Sequence, residues 1–191
     1  MNNIIFKHIP RTAGNSLKEI LPEKVLFLGH DYYNPNYKHL LFHLINIKHK
    51  FVFAFIRNPY DRVVSAFHYL NAGGNNPFDV ADRDKYIKQY DGNFDNFVKN
   101  AFPGITYQIH FMPQYTWIYL YKQCLCDYVG KLETIENDLR NIGNIINYDF
   151  PELPCRNGSR RGHYENYYTE ETKEIIYKYY EKDFRLFGYG K

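Results

Sequence analysis

The segment Phe6 to Leu17, FKHIPRTAGNSL, limits the fold more than any other part of this 191-residue chain, because it couples a short apolar strand to a helix through a tight turn. Ile4, Ile5 and Phe6 favour a strand and Pro10 ends it. Thr12, Ala13 and Gly14 are small enough to let several backbone N–H groups converge on one anion. The helix expected from about Asn15 directs its positive end to the same point. Arg11 adds a permanent positive charge, and Thr12 and Ser16 add hydroxyls, so the segment holds the parts of an oxyanion cradle. An ordinary strand-turn-helix connection with one surface Arg has the same local pattern, and a second segment is needed to choose.

That segment is Phe51 to Tyr69, FVFAFIRNPYDRVVSAFHY. It opens with a continuous apolar run, as a strand buried on both faces does, and ends at Arg57 before Asn58-Pro59 and a helical pattern. Pro59 falls in the first turn of that helix, where its missing N–H costs nothing. Arg57 is thus placed at the carboxyl end of a strand, where open α/β sheets bind ligands, with Ser65 two turns into the next helix.

HIPRTAGNS followed by FIRNPYDRVVSAF resembles the two cofactor segments of sulfotransferases that use 3′-phosphoadenosine 5′-phosphosulfate (PAPS), in particular carbohydrate sulfotransferases of the heparan 2-O and chondroitin/dermatan type. The resemblance implies that Arg11, Thr12, Ala13, Gly14, Asn15 and Ser16 grip the 5′-phosphosulfate, while Arg57 and Ser65 hold the 3′-phosphate. QYTWIYLYKQCLCDYVGKLETIENDL and KYYEKDFRLFGY extend the similarity, more diffusely, over most of the chain. The family's usual Lys in the first motif is Arg11 here. An Arg stabilises developing charge but cannot donate a proton, and Lys7 or Lys18 could supply the missing ammonium.

A base must take the acceptor's proton. Of eight histidines, His30 in LGHDYYN follows the second strand and resembles the Gly-His of the 2-O-sulfotransferases, so it is the candidate base, with Asp31 and Glu133 in reserve. His8 ends the first strand and His43 lies on an apolar stripe; both read as structural, and His68, His110 and His163 have only weak positional arguments. The late loop Arg156 to Gly162 carries three arginines. It reads equally as a lid in which Arg160 or Arg161 touches the cofactor and as a solvated basic loop.

Alternating strands and helices predict an α/β, three-layer P-loop-like fold with a mainly parallel central sheet flanked by helices, as one domain over residues 1–191. Expected strands are Ile4 to His8, Val25 to Leu28, Phe51 to Ile56 and Asp127 to Lys131. Expected helices are Asn15 to Leu21, Leu40 to Ile47, Pro59 to Leu70, Phe94 to Ala101, Ile135 to Ile146 and Thr169 to Phe184. Asn71 to Asp84 reads as a loop.

A net charge of +3 suits an anionic cofactor and an acidic glycan but falls short of a nucleic-acid footprint. Aromatic residues make up 19% of the chain while mean hydropathy is −0.57, so many tyrosines must show a hydroxyl to solvent or to a cleft; Tyr177, Tyr179 and Tyr180 read as packing and surface. Cys124, Cys126 and Cys155 lack metal spacing and read as thiols. No apolar run approaches the roughly 18 residues of a membrane span, and Met1-Asn2-Asn3 leads straight into the first strand, a pattern expected of a cytoplasmic chain. Two other classes share parts of this pattern. A nucleotide phosphotransferase would share the fold, but the first loop lacks GxxxxGK[ST]; a non-catalytic glycan-binding module would explain the tyrosines but not two phosphate-type strand ends.

Overall fold

The computed structural model describes residues 3–29, 50–102, 104–105, 107–154 and 162–191. Four short apolar strands carry the fold: β1 (Ile4–Lys7), β2 (Val25–Leu28), β3 (Phe51–Ile56) and β6 (Tyr128–Lys131). They form one parallel sheet in the order β2-β1-β3-β6. Phe6 pairs with Phe53 in this register, and since side chains alternate along a strand, Phe6, Phe53 and Phe55 fall on one face. Helices α1 (Gly14–Ile20) and α6 (Ile135–Ile146) bury Leu17, Ile20, Leu139, Ile142 and Ile146 against those rings. This is an α/β fold with a parallel central sheet flanked by helices.

The chain clusters into two compact units, the first comprising Met1–Arg57 and Thr116–Asn157, the second Asn58–Tyr115 and Gly158–Lys191. The first holds the sheet, α1, α6 and a small antiparallel hairpin of β4 (Tyr119–Leu120) and β5 (Gln123–Cys124), which follows the short helix α5 (Tyr115–Ile118). Asp138 of α6 fixes the end of β6 by accepting from Tyr128 Oη (2.7 Å), Lys131 N–H (3.0 Å) and Thr134 Oγ1 (2.7 Å).

The second unit is helical. Its frame is α2 (Pro59–Asn71), α3 (Pro77–Asp82), α4 (Phe94–Ala101) and α7 (Glu170–Phe187). Val63, Phe67, Phe97, Phe111, Ile176, Tyr180 and Phe184 meet in its core. Asn58 caps α2 by accepting from the Tyr60 N–H at 2.9 Å, and Pro59 occupies the first turn as expected. Tyr180 is buried, its hydroxyl donating to the Phe111 carbonyl at 2.5 Å, and Tyr177 and Tyr179 pack on the same core, so packing is the role of all three.

Residues 71–84 are a correction to the sequence reading. Asn76-Pro77 starts a helix instead of closing a turn: Asn76 accepts from the Asp79 N–H at 3.0 Å and Pro77 takes the first position of α3. The same dipeptide serves either purpose, and the neighbouring glycines favoured the wrong one. The helix expected over Leu40 to Ile47 lies outside the described residues. Among the described residues, no helix is long and apolar enough to cross a membrane.

Candidate active site

The turn after β1 is backbone-strained at two residues that are not glycine. Arg11 has φ 70° and Ala13 φ 61°, both left-handed, a conformation that costs an L-residue roughly 1 to 3 kcal/mol and persists where the surroundings impose it. Two contacts hold the turn in this form. Thr12 is fully buried and its Oγ1 donates to the Ile9 carbonyl at 2.8 Å. Gly14 lies so close to the His8 ring that a Cβ would stand 2.0 Å from it, so only glycine fits. His8 in turn is buried against Phe6 and Phe27, which makes it the structural histidine its position suggested.

Alternating left-handed residues turn successive N–H groups to one side, the geometry of an anion nest. Ala13, the cap of α1, offers no side-chain oxygen to the first-turn N–H groups, and the first turn carries no acidic residue. Negative charge is therefore invited to that end from outside the helix.

Arg57 reaches the same turn. Lys7 pairs with Ala54 in register, so Arg57, three residues further along, lies level with the turn, and its Nη1 donates to the Arg11 carbonyl at 3.3 Å. The two motif segments, joined through residues 46 positions apart in sequence, thus converge at the carboxyl ends of adjacent parallel strands.

Comparison with known proteins agrees with this geometry. The model of the sulfotransferase family matches residues 1–190. This chain belongs to the sulfotransferase family. Carbohydrate sulfotransferase 10 of Xenopus laevis is 27% identical over 167 residues, covering 73% of the chain and 47% of that protein. Carbohydrate sulfotransferase 12 of Mus musculus is 25% identical over 247 residues, covering all of the chain and 58% of that protein. The chain therefore spans about half the length of the curated relatives it matches. No solved structure matches it significantly.

In this sulfotransferase-family chain, the turn brings together Arg11, Thr12, Ala13, Gly14, Asn15, Ser16 and Arg57. Ser65 sits in the middle of α2, in the helical unit, and is buried. His30, Asp31, His43, Arg160 and Arg161 lie outside the described residues. Glu133 is exposed in the turn that follows β6, again at the carboxyl end of the sheet. The rival cations are engaged away from the turn. Lys7 lies 5.6 Å from the Trp117 ring centre and burial lowers its pKa to about 8; Lys18, at the far end of α1, lies 5.4 Å from the Phe27 ring. Arg11 is the cation within the turn itself.

Three further histidines lie among the described residues, of which His68 and His110 pack and His163 is exposed. His68 meets the rings of Phe67 and Tyr167, His163 stacks beside Tyr164 near Glu165, and His110 pairs with Asp79 at 3.2 Å. Sequence reasoning missed three buried charges, Arg62, Asp79 and Asp183. Arg62 belongs to the second motif, yet it is 1% exposed and its Nη1 donates to the Met112 carbonyl at 2.8 Å. Its place on the buried stripe of α2, one residue before Val63, was the available signal.

Proposed function

We propose that the chain transfers the sulfuryl group of PAPS to a hydroxyl of a carbohydrate acceptor. The observation that carries this is the meeting of two phosphate-type strand ends, with Arg57 donating to the carbonyl of Arg11 inside a turn held left-handed at Arg11 and Ala13. One strand end with a cradle suits any phosphate; a second guanidinium at the next strand suits a nucleotide with phosphate at two positions. The carbohydrate acceptor follows from the names of the two relatives, and heparan- or chondroitin/dermatan-type glycans are the first to screen.

PAPS, when bound, supplies the sulfuryl group and a phosphate leaving group. The Arg11 guanidinium and the backbone N–H groups of Thr12 to Ser16 hold the charge that develops on that phosphate. Arg11 keeps its proton at any working pH, so it acts by charge and orientation alone. By the family resemblance Arg57 and Ser65 hold the 3′-phosphate and so separate this nucleotide from ATP, and Arg160 and Arg161 are the candidates for a further contact to it. His30 takes the proton of the acceptor hydroxyl.

Thermal shift is the test. Adenosine 3′,5′-bisphosphate at about 100 times its Kd should stabilise the chain by about 2.7 kcal/mol, and Mg²⁺-ATP should not. Stabilisation by Mg²⁺-ATP instead would replace this reading by a phosphotransferase, and stabilisation by neither would remove the nucleotide altogether.

A further inference from the structure

Asp138 of α6 ties down the corner that ends β6, and a half-buried lysine stands at that corner. The Lys131 N–H donates to Asp138 Oδ2 at 3.0 Å, Thr134 Oγ1 donates to the same oxygen at 2.7 Å, and Tyr128 Oη donates to Oδ1 at 2.7 Å. Asn141 Nδ2 donates to Tyr128 Oη at 3.2 Å, so the first and last residues of β6 are both fixed to α6. Gly130 permits this approach, because a Cβ there would stand 2.6 Å from Phe55 Cε1 and 3.1 Å from Asp138 Cβ. Side chains alternate along a strand, so Lys131 projects from the face away from α6, beside its register partner Ile56.

Register sets this lysine next to the edge where the two motif segments meet. Arg57 follows Ile56, so the last residue of β6 lies one strand spacing, about 4.8 Å, from the chain that carries Arg57. Along the order β1-β3-β6 the turn with Arg11 follows β1, Arg57 follows β3 and Lys131 closes β6. Lys7, at the end of β1, is engaged with the Trp117 ring at 5.6 Å, and β2 ends in Leu28. Glu133, the acidic group of the same corner, is exposed in the turn beyond.

We propose that Lys131 is a second cation for the 3′-phosphate of the nucleotide, facing it from β6 while Arg57 faces it from β3, an assignment that rests on the nucleotide reading given above.

The physical argument is one of charge and of sheet order. A phosphate monoester carries about −1.5 to −2 at pH 7, because its second ionisation falls near 6. One guanidinium offsets one of those charges, and Arg57 also gives an Nη1 hydrogen to the Arg11 carbonyl at 3.3 Å. A lysine is a compact charge on a flexible four-carbon stem, so an ammonium rooted at the last position of β6 can rise over the sheet edge to an oxygen that Arg57 leaves. The turn after β1, which takes the 5′ end, is two strand spacings from β6, about 10 Å, a distance at which exposed charges are largely screened. Lys131 therefore favours nucleotides that carry a 3′-phosphate.

Calorimetry on the full chain tests this. Lys131→Met removes the charge but keeps an unbranched stem and the backbone N–H that Asp138 holds. Affinity for adenosine 3′,5′-bisphosphate should fall roughly tenfold, the lower end for a hydrogen bond to a charged group, with AMP unchanged and with most of the loss restored by Lys131→Arg. Wild-type affinity for the bisphosphate should also weaken from about pH 7.5 to about pH 5.5, as the phosphate takes up its second proton, and less steeply in Lys131→Met. A merely structural lysine would weaken both nucleotides together and leave that slope unchanged. Should Lys131→Met not fold, acetylation of wild-type amines decides: the bisphosphate should protect Lys131 and AMP should not, read by mass spectrometry from tryptic cleavage after residue 131. If the wild type prefers the bisphosphate to AMP while Lys131→Met keeps the whole preference, or if Lys131 is acetylated equally with and without the bisphosphate, the assignment is overturned and Arg57 stands alone. A wild type that binds both nucleotides equally would overturn the 3′-phosphate reading itself, and this assignment with it.

Discussion

Arg57 and Arg62 stand five residues apart in one motif, and the two units of the chain use them in opposite ways. Arg57 ends a strand of the sheet unit, half-buried, and donates to the Arg11 carbonyl at 3.3 Å, in a turn whose N–H groups face outward from a helix end. Arg62 is 1% exposed in the helical unit and donates to the Met112 carbonyl at 2.8 Å. Asp183 of the same unit is fully buried and accepts from the N–H groups of Gln114 (2.7 Å) and Tyr115 (2.9 Å). Asp79 accepts from Tyr69 Oη (2.5 Å), Asn76 Nδ2 (2.8 Å) and the Asn75 N–H (3.0 Å) while His110 pairs with its other oxygen. Depth of burial therefore does not mark function here. Arg62, Asp79 and Asp183 of the helical unit are consumed by backbone and side chains they hold in place, and Arg11 and Arg57 of the sheet unit stand at strand ends.

If that contrast is right, substitutions in the sheet unit move activity or nucleotide affinity, and substitutions in the helical unit move stability. The largest effect is expected at the proposed base. His30→Ala should lower kcat by about 10² to 10⁴, with affinity for adenosine 3′,5′-bisphosphate within a few-fold of wild type. The wild-type rate should fall as pH drops through the imidazole titration, because only the neutral ring accepts a proton. An unchanged kcat would move the base to Asp31 or Glu133.

On the helical side, Asp79→Ala removes the acceptor of four polar groups at once. Hydrogen bonds from His110 and Tyr69 outweigh burial and hold this carboxyl well below the usual carboxylate range, so it is an ion in the folded chain. Removing one partner of a buried pair costs about 3 to 5 kcal/mol, which for a chain of this size lowers the unfolding midpoint by roughly 10 °C. Nucleotide affinity of the folded protein should be unchanged. A loss of affinity without a loss of stability would break the contrast.

Asp183 sharpens it through pH. Burial raises its pKa from 3.8 to about 6, against two backbone N–H bonds and the Arg62 charge. The folded state therefore binds a proton that the unfolded state has released between these values. The stabilisation from this group is complete below about pH 4 and is lost as pH rises through 6. The loss is at most about 3 kcal/mol, since one pKa unit is worth about 1.4 kcal/mol. Urea denaturation from pH 4 to pH 7 should show this fall, and Asp183→Asn should flatten it; a slope unchanged in the variant would assign the titration to another group.

The sequence disclosed the frame of both units but not these interior contacts. Val25–Leu28, Phe51–Ile56, Phe94–Ala101 and Ile135–Ile146 have the bounds their apolar runs and flanking Pro, Gly and Asn residues implied, because those signals are local. The turn and Arg57 were legible for the same reason: small residues and a proline mark a strand end within a few positions. The left-handed backbone at Arg11 and Ala13 was not, since φ above zero is expected of glycine and the contacts that accompany it here are made by Thr12, Gly14 and Arg57. The pairs Asp79–His110 and Arg62–Met112 join residues 31 and 50 positions apart, and no local pattern announces such a contact.

Arg57 carries the finest discrimination. Its guanidinium does two things in the proposed site: it braces the turn through the Arg11 carbonyl and it holds the 3′-phosphate. Loss of the brace should weaken every ligand of the turn by about 1 kcal/mol, the net worth of a hydrogen bond to a neutral acceptor. Loss of the charge should weaken only ligands with a 3′-phosphate, by about 1.5 to 3 kcal/mol. Arg57→Ala should therefore reduce affinity for AMP slightly and for adenosine 3′,5′-bisphosphate by roughly ten- to a hundredfold more, measured by calorimetry on the same preparation. Equal losses would leave Arg57 as a brace alone, and the 3′-phosphate would then need another partner.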